Sequence, residues 1–191
     1  QVFRRDTRRA RDEHGSIVWG DHVLILYARD VLERTGAGQP IIFDVKCSQA
    51  LPDEILKAHG EPVMWKTGHS LMKDKMRELN APVAGEMSGH MFFTEGFYGH
   101  DDALYGAARL IRIVAASGKS LSGMLADVPK FVSTPELRVD VEESRKFRIV
   151  DDAIRHFRET HEVIDVDGAR VLFGDGWGLI RASNTQPVLV T

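Results

Sequence analysis

Cysteine is nearly absent from this 191-residue chain: Cys47 stands alone, so no disulfide can form within it and a reducing compartment fits. Its expected role is that of a small core side chain. Long hydrophobic runs are missing too. No stretch approaches a membrane span, and the charged beginning has no apolar segment of the signal-peptide kind behind it. A cytoplasmic protein, with no membrane partner, is therefore the expectation. Positive charge is not in excess: the formal net charge is −3, which gives no reason to expect nucleic acid as a partner. The one basic cluster, Arg4, Arg5, Arg8, Arg9 and Arg11 against Asp6, reads as a solvated tail. Repeats and low-complexity segments are also lacking. What is present, 43% hydrophobic and 28% charged residues, is the composition of a globular chain with a sizeable core.

Strand and helix signals alternate along residues 12–131. A turn and short strand precede a helix over 21–35, which Asp21 is expected to cap and Gly36 to end. Strands follow at 41–45 and 62–65 and just before Gly85, with helices at 51–60, 70–79, 103–116 and 120–128. Asp101 or Asp102 opens the helix that begins at Ala103. This alternation predicts an α/β unit whose sheet is at least partly parallel. After the connector 131–135 the pattern changes to a strand at 137–141, a helix at 147–160, and hairpins that turn at Asp167-Gly168 and beyond. That part reads as a smaller α+β domain, and because it stops directly after a strand it is expected to be incomplete.

Two polar loops stand out. Gly85-Glu86-Met87-Ser88-Gly89-His90 lies between short apolar runs. Its glycines permit tight backbone turns, while Glu86, Ser88 and His90 supply an acceptor pair, a hydroxyl and a titratable ring. It suits either the neighbouring hydroxyls of a sugar or an ordinary polar hairpin turn. In the α/β reading Lys46, His69 and Glu86 each follow the carboxyl end of a strand, the edge where open α/β sheets place ligands. Lys46, Lys66 and His69 would make that edge cationic. The second loop, Arg181-Ala182-Ser183-Asn184-Thr185, carries the donors of an anion clamp, or else is a polar strand end. A zinc site from His69, Glu86 and His90 is disfavoured because their spacing matches no helical zinc motif. Asp175-Gly176 lacks the further oxygen ligands of a calcium loop.

Four stretches in order make the chain resemble the phosphohexomutase superfamily, specifically its bacterial phosphomannomutase/phosphoglucomutase branch. They are Phe43-Asp44-Val45-Lys46-Cys47, Trp65-Lys66-Thr67-Gly68-His69-Ser70, the 85–90 loop, and the stretch from Gly176 through Thr185. The resemblance implies a mixed-sheet α/β sugar-binding domain over 20–131, family domain 3. It implies a truncated, TATA-binding-protein-like α+β phosphate-binding domain over 132–191, family domain 4. Residues 1–19 would be the remnant of a preceding domain, and the N-terminal domains would be missing.

By the same resemblance Lys46, His69, Glu86, Ser88, His90, Arg181, Ser183, Asn184 and Thr185 bind a phosphosugar, and His90 is a candidate acid/base. The parent enzyme would be an isomerase, a phosphoprotein that interconverts hexose 1- and 6-phosphates with Mg2+ as cofactor and hexose 1,6-bisphosphate as activator. The family's phosphoserine loop is absent from this sequence. Its magnesium loop should fall just before Asp12, where Phe3-Arg4-Arg5-Asp6-Thr7-Arg8-Arg9 stands, so no metal residues are assigned. The alternative to an enzyme fragment is a non-catalytic phosphosugar-binding protein.

Overall fold

The computed structural model describes residues 10–191, so the run from Arg4 to Arg9, with Asp6, lies outside the described residues. The chain divides between Phe131 and Val132 into two compact units.

The first unit begins with a two-stranded antiparallel ribbon, β1 (Ala10–Arg11) and β2 (Ile17–Val18). Helix α1 (Gly20–Thr35) follows and buries most of its apolar residues, among them Leu24, Ile25, Tyr27 and Val31. Asp21 does not cap it: the helix starts one residue earlier, and Asp21 accepts instead from the N–H of His22 and of Ser48, the latter 3.0 Å away. Burial acts to raise the Asp21 pKa, but the bonds from His22 and Ser48 outweigh it and the net direction is down. A near-fully buried carboxylate thus ties the start of α1 to the segment after the first sheet strand.

That sheet contains β3 (Pro40–Asp44), β4 (Glu61–Trp65), β5 (Val83–Gly85) and β6 (Met91–Phe93), in the order β4-β3-β5-β6. Strand β3 runs parallel to β4 and β5, and β6 returns antiparallel to β5. Helices α2 (Ala50–Lys57), α3 (His69–Leu79) and α4 (Ala103–Ser117) connect and cover the strands. The covering is two-sided, as strand alternation dictates. Ile41 and Phe43 join one core with α1, α2 and α4, whereas Ile42 joins a smaller one with Met72 and Met76 of α3. Asp102 caps α4, accepting from the N–H of Leu104 and Tyr105. An ionic network of Asp30 and Arg34 from α1, Glu95 after β6, and Arg109 and Arg112 from α4 fastens these elements. The helix expected over 120–128 is only the turn α5 (Leu121–Met124). Gly123 weakens helix there, and Pro129 holds Val128 out of helical geometry.

In the second unit β7 (Arg138–Asp140), β8 (Val163–Ile164), β9 (Ala169–Leu172), β10 (Trp177–Ala182) and β11 (Val188–Val190) form one antiparallel sheet, ordered β7-β11-β10-β9-β8. Helix α6 (Lys146–Arg158) packs on it through Val150, against Ala182 and Leu189. Arg170, fully buried, lies with its guanidinium 3.8 Å above the Trp177 ring. The architecture is the α+β arrangement that the strand–helix–hairpin pattern predicts.

Candidate functional site

Because β3, β4 and β5 run the same way, their carboxyl ends share one edge of the sheet, and the chain leaves each end through a polar segment. After β3 come Val45 and Lys46; after β4 come Lys66, Thr67, Gly68 and His69; after β5 comes the 85–90 loop. The loop closes on itself, with Glu86 N–H donating to His90 O and Gly89 N–H to Glu86 O, both at 2.9 Å. Gly89 takes φ 94°, a conformation that costs other residues dearly.

Asp44, fully buried at the end of β3, organises the edge. It accepts from Met87 N–H in the loop at 3.1 Å, from the Thr67 hydroxyl at 3.2 Å and from the Cys47 thiol at 3.1 Å. Lys46 Nζ sits 3.5 Å from Oδ2, the oxygen that also takes the Thr67 hydroxyl. One carboxylate therefore joins all three polar segments. Glu86 is only 3% exposed, and its oxygens accept from Gly68 N–H (2.9 Å) and the Ser88 hydroxyl (3.1 Å). His69 lies in the first turn of α3, its ring edge-on to those of His90 (4.3 Å) and Phe92 (5.4 Å). His90 Nδ1 is 2.8 Å from Asp101 Oδ2. Lys66 is exposed and makes the rim. Beneath the loop, Gly20 admits no side chain: a Cβ there would lie 2.5 Å from Glu86 O, 2.7 Å from Met87 O and 2.8 Å from Gly89 N.

The structure thus gathers Lys46, His69, Glu86, Ser88 and His90 at one edge, and adds three residues to which the sequence reading gave no site role: Asp44, Asp101 and Gly20. Asp44 had a signal, a lone acid closing the apolar run Ile41-Ile42-Phe43. Asp101 had a weaker one, a second aspartate beside a cap that needs only one. Gly20 had none, because its close neighbours are 66 to 69 positions away.

His69, Glu86 and His90 also converge as possible metal ligands, with one atom from each lying within 4.8 Å of the others, although their spacing matches no helical zinc motif. Tetrahedral zinc–nitrogen bonds bring ligand atoms to about 3.3 Å of one another, so these side chains would have to close further to hold an ion.

In the second unit, Arg181 and Ala182 end β10, paired with Val190 and Leu189 of β11, and the connecting loop begins at Ser183. Lys146 of α6, buried to 2% exposure, donates to the carbonyls of Ser183 (2.8 Å) and Gln186 (3.3 Å). The Ser183 hydroxyl accepts from the N–H groups of Thr185 (3.4 Å) and Gln186 (3.2 Å), closing a turn. Arg181 is largely buried and reaches Asp167 at 3.1 Å, while its Nε, also buried, has no hydrogen-bond partner among the described residues.

Two family descriptions match this arrangement: the alpha/beta/alpha domain III of phosphoglucomutase/phosphomannomutase over residues 19–131, and the C-terminal domain over residues 136–191. The chain belongs to the phosphoglucomutase/phosphomannomutase family. Within it, the phosphomannomutase/phosphoglucomutase of Pseudomonas putida is 48% identical over 92% of this chain. A phosphoglucomutase of Neisseria meningitidis serogroup A is 46% identical over 92%. The crystal structure of a family protein from Burkholderia thailandensis superposes with a TM-score of 0.84 at 44% identity and covers 95% of this chain. In each case this chain spans about 38% of the other protein's length. The two family domains here are thus those numbered III and IV, as the four motifs imply.

Proposed function

We propose that this chain is the sugar- and phosphate-recognising portion of a phosphomannomutase/phosphoglucomutase, an isomerase of hexose 1- and 6-phosphates that works through a 1,6-bisphosphate. The observation that carries the reading is the convergence of Lys46, His69, Glu86, Ser88 and His90 on one carboxyl edge of the sheet. That edge offers carboxylate and hydroxyl oxygens for sugar hydroxyls, and cations for a phosphate. Glu86 and Ser88 hold adjacent hydroxyls, Lys46 and His69 meet the sugar phosphate, and His90 exchanges a proton with a ligand oxygen. Arg181, Ser183, Asn184 and Thr185 hold the distal phosphate. A cytoplasmic setting and a phosphosugar partner belong to the same reading.

Magnesium, which acts in the family by neutralising phosphoryl charge, has no fitting donor set in this sequence. The segment that would carry it offers a single carboxylate, Asp6, among arginines, and hard divalent cations need several oxygen ligands. Nor does the sequence contain the family's Ser-His-Asn-Pro phosphoserine loop. We therefore expect recognition without turnover from this polypeptide. Calorimetry with mannose 1-phosphate and glucose 1-phosphate should detect binding that Glu86→Ala or Arg181→Ala weakens about tenfold or more. Absence of binding to either sugar phosphate would defeat the reading. A coupled assay with glucose 1-phosphate and a trace of glucose 1,6-bisphosphate should show no product; robust turnover would refute the assignment of the chemistry elsewhere. The rival, a binding protein without chemistry, is less favoured because the relatives are named as mutases. Zinc bound stoichiometrically by His69, Glu86 and His90 would instead appear in elemental analysis of the purified chain.

A further inference from the structure

We infer that Asp101 is a positioning residue: it fixes the tautomer and orientation of His90, so that the ring presents a lone pair at Nε2 to the sugar ligand. The claim rests on the proposed sugar site for its functional sense, but its structural half stands on geometry alone.

The chain brings Asp101 to this place for a local reason. Asp101 pairs with Phe92 as an isolated antiparallel bridge. Cross-strand partners point to the same face, and residues two apart on a strand share that face as well. Phe92 and Asp101 therefore share a face, His90 just before β6 meets Asp101 there, and His69 at the start of α3 packs edge-on against the rings of Phe92 and His90. Asp101 is not needed as a helix cap, since Asp102 alone accepts from Leu104 and Tyr105. Its own side chain is 7% exposed, against 25% for His90, so the carboxylate sits on the inner side of the ring.

An ionised carboxylate can only accept hydrogen bonds. The 2.8 Å contact between Asp101 Oδ2 and His90 Nδ1 is then a hydrogen bond only if Nδ1 carries the hydrogen. In the neutral ring this leaves Nε2 as the acceptor atom, the one suited to take a hydroxyl hydrogen from a ligand. The same oxygen lies 3.8 Å from His69 Nε2, too long for a bond. The other oxygen accepts weakly from Met91 N–H at 3.4 Å, which fixes the carboxylate relative to β6. A histidine held by a carboxylate at one nitrogen and used at the other is a recurrent catalytic and binding device.

The test is nitrogen-15 NMR of the histidine side chains at mildly alkaline pH, with His90 assigned by loss of its signals in His90→Gln. In the unmodified chain, neutral His90 should be mainly Nδ1–H, opposite to the form an unconstrained histidine prefers in water. In Asp101→Ala the ratio of Nδ1–H to Nε2–H should fall about tenfold or more, as the charge-assisted bond is lost. Wild-type His90 in the Nε2–H form would overturn the inference, and this measurement needs no variant to fold. An unchanged ratio in a folded Asp101→Ala chain would overturn it equally.

A binding cycle supplies the functional half. Asp101→Ala should weaken glucose 1-phosphate binding in the His90 chain and have little further effect in a His90→Gln background. Fully additive effects would reduce Asp101 to a general structural role and defeat the inference. If the chain bound no sugar phosphate at all, the proposed function would fail while the tautomer result still decided the role of Asp101.

Discussion

The segments 85–90 and 181–185 both lie between apolar strands and both are rich in polar groups, yet opposite charges support them. The first is held by buried carboxylates: Asp44 takes the Met87 N–H, and Asp101 takes the His90 ring. The second is held by a buried ammonium, Lys146, which takes two backbone carbonyls, and its arginine, Arg181, faces Asp167. A carboxylate orients N–H groups and imidazoles, whereas an ammonium can orient only acceptors. The first loop is therefore fixed through donors, the Met87 backbone N–H and the His90 ring. The second is fixed at its backbone, with its arginine drawn toward an internal anion.

The hardest blow to the first loop should be Gly20→Ala. A Cβ would meet three backbone atoms that have no flexible end to move, so we expect about 3 kcal/mol of destabilisation and loss of sugar-phosphate binding. Thermal unfolding together with calorimetry checks both, and wild-type affinity in the variant would show that the loop can shift without consequence. Asp44→Ala comes next. It removes the acceptor of the Met87 N–H and the anion beside Lys46 at once, and should cost about 2 kcal/mol of stability with weaker binding. If stability fell while affinity held, the carboxylate would organise the core but not the site.

Lys146→Met tests the other support. The variant keeps the stem and removes the donor, so the Ser183 and Gln186 carbonyls lose a partner at a cost of about 1–2 kcal/mol. Hydrogen exchange should report the loss around 183–186 and leave 85–90 unchanged. Equal changes in both loops would mean that they are not independently supported.

A pH titration separates the first unit's ionic network from its site. Hydrogen bonds from Arg34, joined by Arg109, lower the Glu95 pKa from 4.5 to about 2 against the opposing effect of burial. A depressed carboxyl stabilises the fold above its unfolded pKa, so this contribution should be present at neutral pH and fade as pH falls from about 4.5 to 2. Glu95→Gln should flatten that part of the melting-temperature profile by a few degrees; a parallel profile would point to other carboxylates. The smallest effect is expected from Asp167→Asn, which relaxes the hold on Arg181 and should raise phosphate affinity roughly threefold. A fall would mean that Asp167 aims the arginine rather than competes for it.

Much of the fold was legible because period and punctuation agreed. The run Ile41-Ile42-Phe43 announced a strand buried on both faces, and Gly36 the end of α1. Helix starts were read less well. Asp21 looks like a cap but serves Ser48, a contact 27 positions away that no local pattern encodes. The helix expected over 120–128 is only the turn α5, with Gly123 and Pro129 acting against its continuation. Among the site residues, those that bear recognisable ligand chemistry, such as His69, Glu86 and Arg181, stood out by type and position. Their supports did not, since a buried aspartate is defined by what reaches it.

The sequence by itself determined the alternation of elements, the placement of polar segments at strand ends, and the family through four ordered motifs. Only the tertiary structure decided which carboxylate faces which histidine, why Gly20 can bear no side chain, and that Arg181 meets Asp167. The reason is range. Periodicity and turn chemistry act over a few residues, but a hydrogen bond between Asp44 and Met87, or a clash between Gly20 and Glu86, exists only once parallel strands have been brought side by side.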